Sequence, residues 1–238
     1  LWVVLFLCGK KTQLHLRKKH LHLEAKVVLP CIALGLAAFI MQSSESIVTV
    51  CFNSSLLRYG GDIAVGAMTI LTSVMQFAML PLQGIAQGSQ PVSSYNYGAK
   101  NKKRLSETIR FAFLLEVLTG AGMAVVLGAA APLLVGLFLK EADVIAVAQQ
   151  ILRVQLIGMP FVGIVLASTC IFQAIGNGAG AMILSAGRQG VIFAIVIFCA
   201  SKLAGFSGVI ASQPVSDFLT ALVAVMILLQ WKKKEFAK

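Results

Sequence analysis

Apolar runs of about 20 residues follow one another from Val27 to Trp231, a pattern that soluble domains do not sustain. A run of that length crosses a hydrocarbon core of about 30 Å as a helix rising about 1.5 Å per residue. Read along the 238 residues, the spans fall at about 27–57, 63–95, 106–138, 147–175, 181–203 and 209–231. Charged residues make up only 12% of the chain, about half the roughly 25% of soluble domains. The expectation is an all-α membrane protein built as a six-helix bundle over residues 27–231. Residues 1–8, LWVVLFLC, are too short to span and read as the end of a helix whose beginning is missing. Residues 9–26 read as a basic linker and 232–238 as a basic tail.

A net charge of +11 would suit nucleic acid, but its placement argues against that partner. The cations sit in short loops between apolar runs, without an aromatic ladder, and not on one soluble face. Sixteen of the 20 Lys and Arg residues lie in the linker, around Lys100–Arg110, at Arg188 and in the tail. The alternate side holds only Arg58, Lys140, Arg153 and Lys202. By the positive-inside rule the linker and C-terminus are expected in the cytoplasm, with the chain multi-pass in the plasma membrane. The five cysteines form no CxxC pair, and His15, His20 and His22 share one basic stretch without acidic or thiol companions. No metal site and no covalently bound cofactor are expected. Walker, HExxH and nucleophile motifs are absent from the sequence as well, so the chain reads as a non-enzyme.

Polar chemistry is concentrated in two spans. The first carries MQSSESIVT, which sets Glu45, Gln42 and Thr49 three and four residues apart on one helical face, with Ser46 beside them. Facing lipid would be costly for such a group, so it should look into the bundle. The second carries PLQGIAQGSQPVSSYNYGAKNKKR, residues 81–104. Here Gln83, Gln87 and Gln90 lie broadly on one side, facing a cavity, while glycines and prolines interrupt the helix where neighbouring helices can satisfy its backbone. Pro81, Pro91, Pro160 and Pro214 are candidate hinges. Of the other deep acids, Asp217 either pairs with a polar neighbour or lines the cavity, and Glu116 is expected to pair with a basic side chain near the cytoplasmic edge. Arg153 and Arg188 are expected to snorkel to the interfaces.

The combination of LLRYGGDIAVGAMTI with PLQGIAQGSQPVSSYNYGAKNKKR closely resembles the multidrug and toxic compound extrusion (MATE) transporters, in their bacterial MepA-like subgroup. RVQLIGMPFVGIVLASTCIFQAIGNG and LSAGRQGVIF look like the family's tenth and eleventh helices. The resemblance covers about Lys26 to Trp231 and implies twelve helices in two pseudo-symmetric lobes. This chain would supply the end of helix six and helices seven to twelve, one C-terminal lobe. It further implies that the acid of the seventh helix, here Glu45, couples Na⁺ or H⁺ to export of a lipophilic organic cation, with Asp217 as a second candidate. Gln42, Ser46, Thr49, Gln83, Gln87, Gln90 and Gln173 would line the ion or substrate cavity. Some family members carry a second acid in the tenth helix; this chain has Ser168, Thr169 and Gln173 there, which departs from a complete Na⁺ site of that pattern. The partners so implied are organic cations, the lipid bilayer, and a missing N-terminal lobe or a second copy. The other readings are a related lipid-linked substrate flippase, which a more basic cavity would favour, and a non-transporting fragment that only packs against a partner lobe.

Overall fold

The computed structural model describes residues 24–138 and 142–236; within the first helix, before Leu71, only part of the side chains are described. Of the expected linker, residues 9–26, the part over 9–23 lies outside the described residues, as does the helix end at 1–8; Ala25 and Lys26 are already helical. Two compact units divide the chain at residue 40. In the first, residues 25–40 are helical, with Leu29 exposed. The second, residues 41–238, holds the rest.

Among the described residues there are six α-helices and no strand: α1 (Ala25–Gly98), α2 (Lys102–Phe138), α3 (Ala142–Leu156), α4 (Met159–Ala174), α5 (Gly178–Ala186) and α6 (Ile192–Phe236). A π-helical segment, Gly187–Val191, joins α5 to α6. Helix is the outcome that hydrocarbon demands, because it satisfies each backbone group within its own segment. By length and hydropathy α2 and α6 can each cross a membrane, and the bent pair α3–α4 can make a third crossing.

The breaks differ from the sequence expectation in three places. One uninterrupted helical run, α1, carries both the first and the second expected span, and the turn expected at RYGGD (58–62) is helical backbone. Glycine disfavours helix by only about 1 kcal/mol per residue and does not forbid it. The fourth expected span is instead two helices, bent by 43° between Leu156 and Met159, with Gly158 as the N-cap of α4 and Pro160 in its first turn. Pro160 has no N–H to offer a preceding turn, so a new helix starts there readily. The loop expected near Gly205–Gly208 is a kink inside α6, where Gly205 takes φ 55° and ψ −127°.

Two helix ends close by the same device. After α1, Asn101 N–H donates to Asn96 O at 3.0 Å with Lys100 at φ 55°. After α4, Asn177 N–H donates to Phe172 O at 2.8 Å with Gly176 at φ 75°. Both are left-handed C-terminal caps, and Gly176 meets the conformation without the side-chain penalty that Lys100 carries. The next helices then start on asparagines: Asn101 Oδ1 accepts from Arg104 N–H at 3.1 Å, and Asn177 Oδ1 from Gly180 N–H at 3.0 Å.

In the second unit α2 packs on α3 and α4, and α4 on α5 and α6. One apolar cluster joins Leu71, Ala78 and Leu82 of α1 to Leu127 and Ala131 of α2 and to Ile151, Leu152 and Leu156 of α3. Another joins Leu105 and Ile109 to Ile171, Phe172, Leu184 and Leu228. Small residues set the closest approach: a Cβ on Gly120 would lie 2.9 Å from Met159 O and Pro160 Cα, so α2 and α4 touch backbone to backbone.

Candidate functional site

Polar groups converge on the broken helix α3–α4 from both of its sides. On one side Arg188, in the π-helical segment, donates from Nε to Asp217 Oδ1 at 2.8 Å, and both side chains are buried. Gln213 also hydrogen-bonds Asp217, and Ser216 Oγ donates to Arg188 O at 3.3 Å. Arg188 lies in the glycine-flanked π-helical segment Gly187–Val191, and its side chain points to Asp217 of α6. The other oxygen of Asp217 lies against the break: a Cβ on Gly158 would meet Asp217 Oδ2 at 3.1 Å and Pro214 Cα at 3.3 Å.

Pro214 lacks an N–H, so the carbonyl four residues before it, Ile210 O, loses its helical donor. Gln155, the penultimate residue of α3, supplies one from Nε2 at 3.5 Å. The proline thus leaves an acceptor inside α6, and α3 answers it just before the break.

Glu116 of α2 occupies the other side. It is 0% exposed, and neither carboxyl oxygen has a hydrogen-bond partner among the described residues. Its Oε2, Cβ and backbone O would each lie 3.1 Å from a Cβ on Gly163 of α4. The expected pairing with a basic side chain does not occur: Arg110, on the same helix, is exposed and stands nearly two turns away.

The glutamines fall elsewhere. At about 100° per residue, Gln83, Gln87 and Gln90 share an arc of about 60° on α1 with Thr72, Gln76 and Ser94. All are exposed except half-buried Gln90. Sequence reading found the first three and missed the others, although the same periodicity extended about three turns back and one turn forward includes them. A groove of about 430 Å³ runs between α1 and α2, but Ile85, Gly88, Ser89 and Val92 line it, from the flank of α1 opposite the glutamines.

Of the remaining predicted residues, Ser46 and Thr49 are exposed on α1, whereas the side chains of Gln42 and Glu45 lie outside the described residues. Gln173 is exposed on α4. Ser168 and Thr169 donate to carbonyls one turn back, Ile164 O at 2.7 Å and Val165 O at 2.8 Å. Pro81 and Pro91 lie inside α1, Pro160 at the break and Pro214 inside α6. Arg153 is exposed as expected for an interfacial cation, but Arg188 is buried and ion-paired, because its side chain meets Asp217 of α6 rather than an interface. No group of three or more possible metal ligands occurs among the described residues.

Residues 36–199 match the MatE family. The chain belongs to that family. Among MatE relatives, the multidrug export protein MepA of Staphylococcus haemolyticus (strain JCSC1435) is 28% identical over 229 residues, 96% of this chain and 50% of its own length. The MepA protein of Staphylococcus aureus (strain MSSA476) is 31% identical over 200 residues, 82% of this chain and 43% of its own length. The chain therefore spans about half the length of the relatives it matches. In fold it is similar to an outward-facing multidrug resistance MATE family transporter of the MOP superfamily, with a TM-score of 0.88 at 18% identity over 100% of this chain and 54% of that one. A MOP superfamily transporter from Pyrococcus furiosus has a TM-score of 0.85 at 19% identity over 99% of this chain and 53% of that chain. The helical bundle is thus one lobe of the MATE fold.

Proposed function

We propose that the chain is the C-terminal lobe of a two-lobe antiporter that exports lipophilic organic cations in exchange for H⁺ or Na⁺. The observation that carries this reading is the stripe Thr72–Gln76–Gln83–Gln87–Gln90–Ser94. Over about 33 Å of helix it stays exposed, but for half-buried Gln90, on a chain made for hydrocarbon, as long as the membrane is thick. Six polar side chains facing lipid would be costly, so the stripe wants a polar cavity or a partner surface over it. Half-length coverage of transporters of known export function points the same way: a second lobe would close that cavity. Glu45 is the proposed coupling acid, Gln42, Ser46, Thr49 and Gln173 are proposed cavity residues, and the plasma membrane with a cytoplasmic C-terminus is the proposed location.

The test is ethidium loss from cells expressing the protein with an upstream lobe, with the Glu45→Gln variant and this chain alone in parallel. Export by the joined protein only, with proton or sodium dependence abolished in Glu45→Gln, is expected. A joined protein that inserts in the membrane yet leaves ethidium retention unchanged would overturn the reading.

A further inference from the structure

Most buried polar groups of this bundle come with partners; among the described residues the exceptions are the Ser93 hydroxyl and the Glu116 carboxyl. Asp217 has Arg188, Gln155 has Ile210 O, and Ser168, Ser212 and Thr220 each donate to a carbonyl of their own helix. Glu116 stands apart. It is the buried acid, among the described residues, with two unpartnered oxygens. A carboxylate there gives up its hydration and receives no donor in return, whereas a neutral carboxyl group gives up far less. Leucine or glutamine would fill the same volume without an ionisable group. An acid at membrane depth on these terms is a functional residue by default.

We propose that Glu116 is a proton-binding site, built into the contact of α2 with α4 so that gain or loss of its proton changes how α4 seats on α2. The geometry ties the carboxyl to the moving part. Glu116 lies over Gly163, where a Cβ would press within 3.1 Å of its carboxyl, and one turn further along α2 Gly120 lies over Met159 and Pro160. Those contacts occupy the first two turns of α4, directly after the 43° break. The far side of the break is clamped by the Arg188–Asp217 pair against Gly158. A paired acid thus fixes one side of the hinge and an unpaired acid sits on the other.

Few other charges bear on it. On α4 the titratable neighbour is Cys170, two turns beyond Gly163 and within electrostatic reach of Glu116. On α3 Arg153 is exposed, and on α6 the charge of Asp217 is balanced by Arg188. Neutral Glu116 lets α4 lie flush on α2, with Gly163 against Glu116 and Met159–Pro160 against Gly120. Release of the proton to water leaves an anion against Gly163 with no donor facing it and favours tilting of α4 about Ile157–Gly158, which brings water to the carboxylate; uptake reverses the change. Use of this proton in transport rests on the antiport reading above, and the site itself does not.

The experiment is infrared spectroscopy of the full-length protein in lipid nanodiscs across a pH series, in H₂O and D₂O. A carboxylic C=O band that shifts in D₂O, titrates, and disappears in Glu116→Gln is expected. A Glu116→Gln protein with unchanged thermal unfolding and a spectrum identical to the wild type would overturn the proposal. Spin labels at Val126 on α2 and Gln173 on α4 should report a pH-dependent distance change that is lost in Glu116→Gln; a change that persists overturns the link to α4. Proton-driven ethidium exchange in proteoliposomes then separates the two readings. Exchange lost in Glu116→Gln with ethidium binding retained supports the site's part in coupling, and exchange with unaltered proton dependence removes it. A wild-type protein that does not exchange at all sinks the antiport reading, while the infrared band still decides Glu116.

Discussion

At Arg188 the side chain and the backbone carbonyl are held by consecutive residues of α6, Asp217 and Ser216. A buried ion pair adds little net stability, because desolvation offsets attraction, but removing one partner strands the other charge. Asp217→Asn is therefore expected to destabilise the protein by about 3–5 kcal/mol, read from denaturant unfolding in detergent, and the double variant Arg188→Met/Asp217→Leu should recover most of that loss. A single variant as stable as wild type would show that the pair carries no such role. The sequence displayed both residues, yet it did not pair them. They stand 29 positions apart on different elements, and spacing rules reach only three or four residues along one helix. Glu116 was misread for a related reason: its distance from Arg110 along α2 says nothing of what α4 lays over it.

Helices meet where glycine permits, and two predictions follow at that scale. Gly120→Ala would drive a methyl group into Met159 O and Pro160 Cα, 2.9 Å away, and should cost about 1–3 kcal/mol by overpacking. Gly122, two residues along the same helix, has open space around it. There Ala should be neutral or stabilising by up to about 1 kcal/mol through helix propensity, and equal losses at both positions would refute the backbone contact. The second prediction concerns the donor that α3 lends to α6. Gln155→Leu should destabilise the protein by about 1 kcal/mol when Pro214 is present, and much less in a Pro214→Ala background, where Ile210 O regains its helical donor. A double-mutant cycle of unfolding free energies measures the difference; no coupling between the positions would remove the contact from the account. Sequence showed helix identity and the candidate hinge prolines, since those follow from composition and from proline's missing N–H. It did not show the break at Gly158 or the continuous α1, because apolar runs fix the existence of a span but not where its backbone bends.

For the whole molecule, the charge pattern and the packing meet at one end of the bundle. Lys232 Nζ donates to Ser106 Oγ at 2.7 Å, and the rings of Tyr97 and Trp231 lie 6.2 Å apart. The close of α1, the start of α2 and the end of α6 are thereby gathered together, and with them Lys100, Lys102, Lys103, Arg104 and Lys232–Lys234. Two basic clusters that sequence could only assign to the same side by counting crossings are adjacent in space. Lys202, from the poor side of the count, lies 30 residues before Lys232 on α6, with its ammonium 4.3 Å from the Phe198 ring, a contact suited to a cation at an interface. By the positive-inside rule this basic end is expected on the cytoplasmic side. In a background whose native cysteines are replaced, Lys202→Cys should react with a membrane-impermeant thiol reagent added to intact cells. Lys234→Cys should react only after the cells are permeabilised. The reverse pattern would invert the lobe and place its basic end outside. Equal labelling of both positions before permeabilisation would mean that α6 does not cross at all. Each outcome is decided by charge placement acting through three packed helix ends, which is why the prediction belongs to the molecule and not to any one lysine.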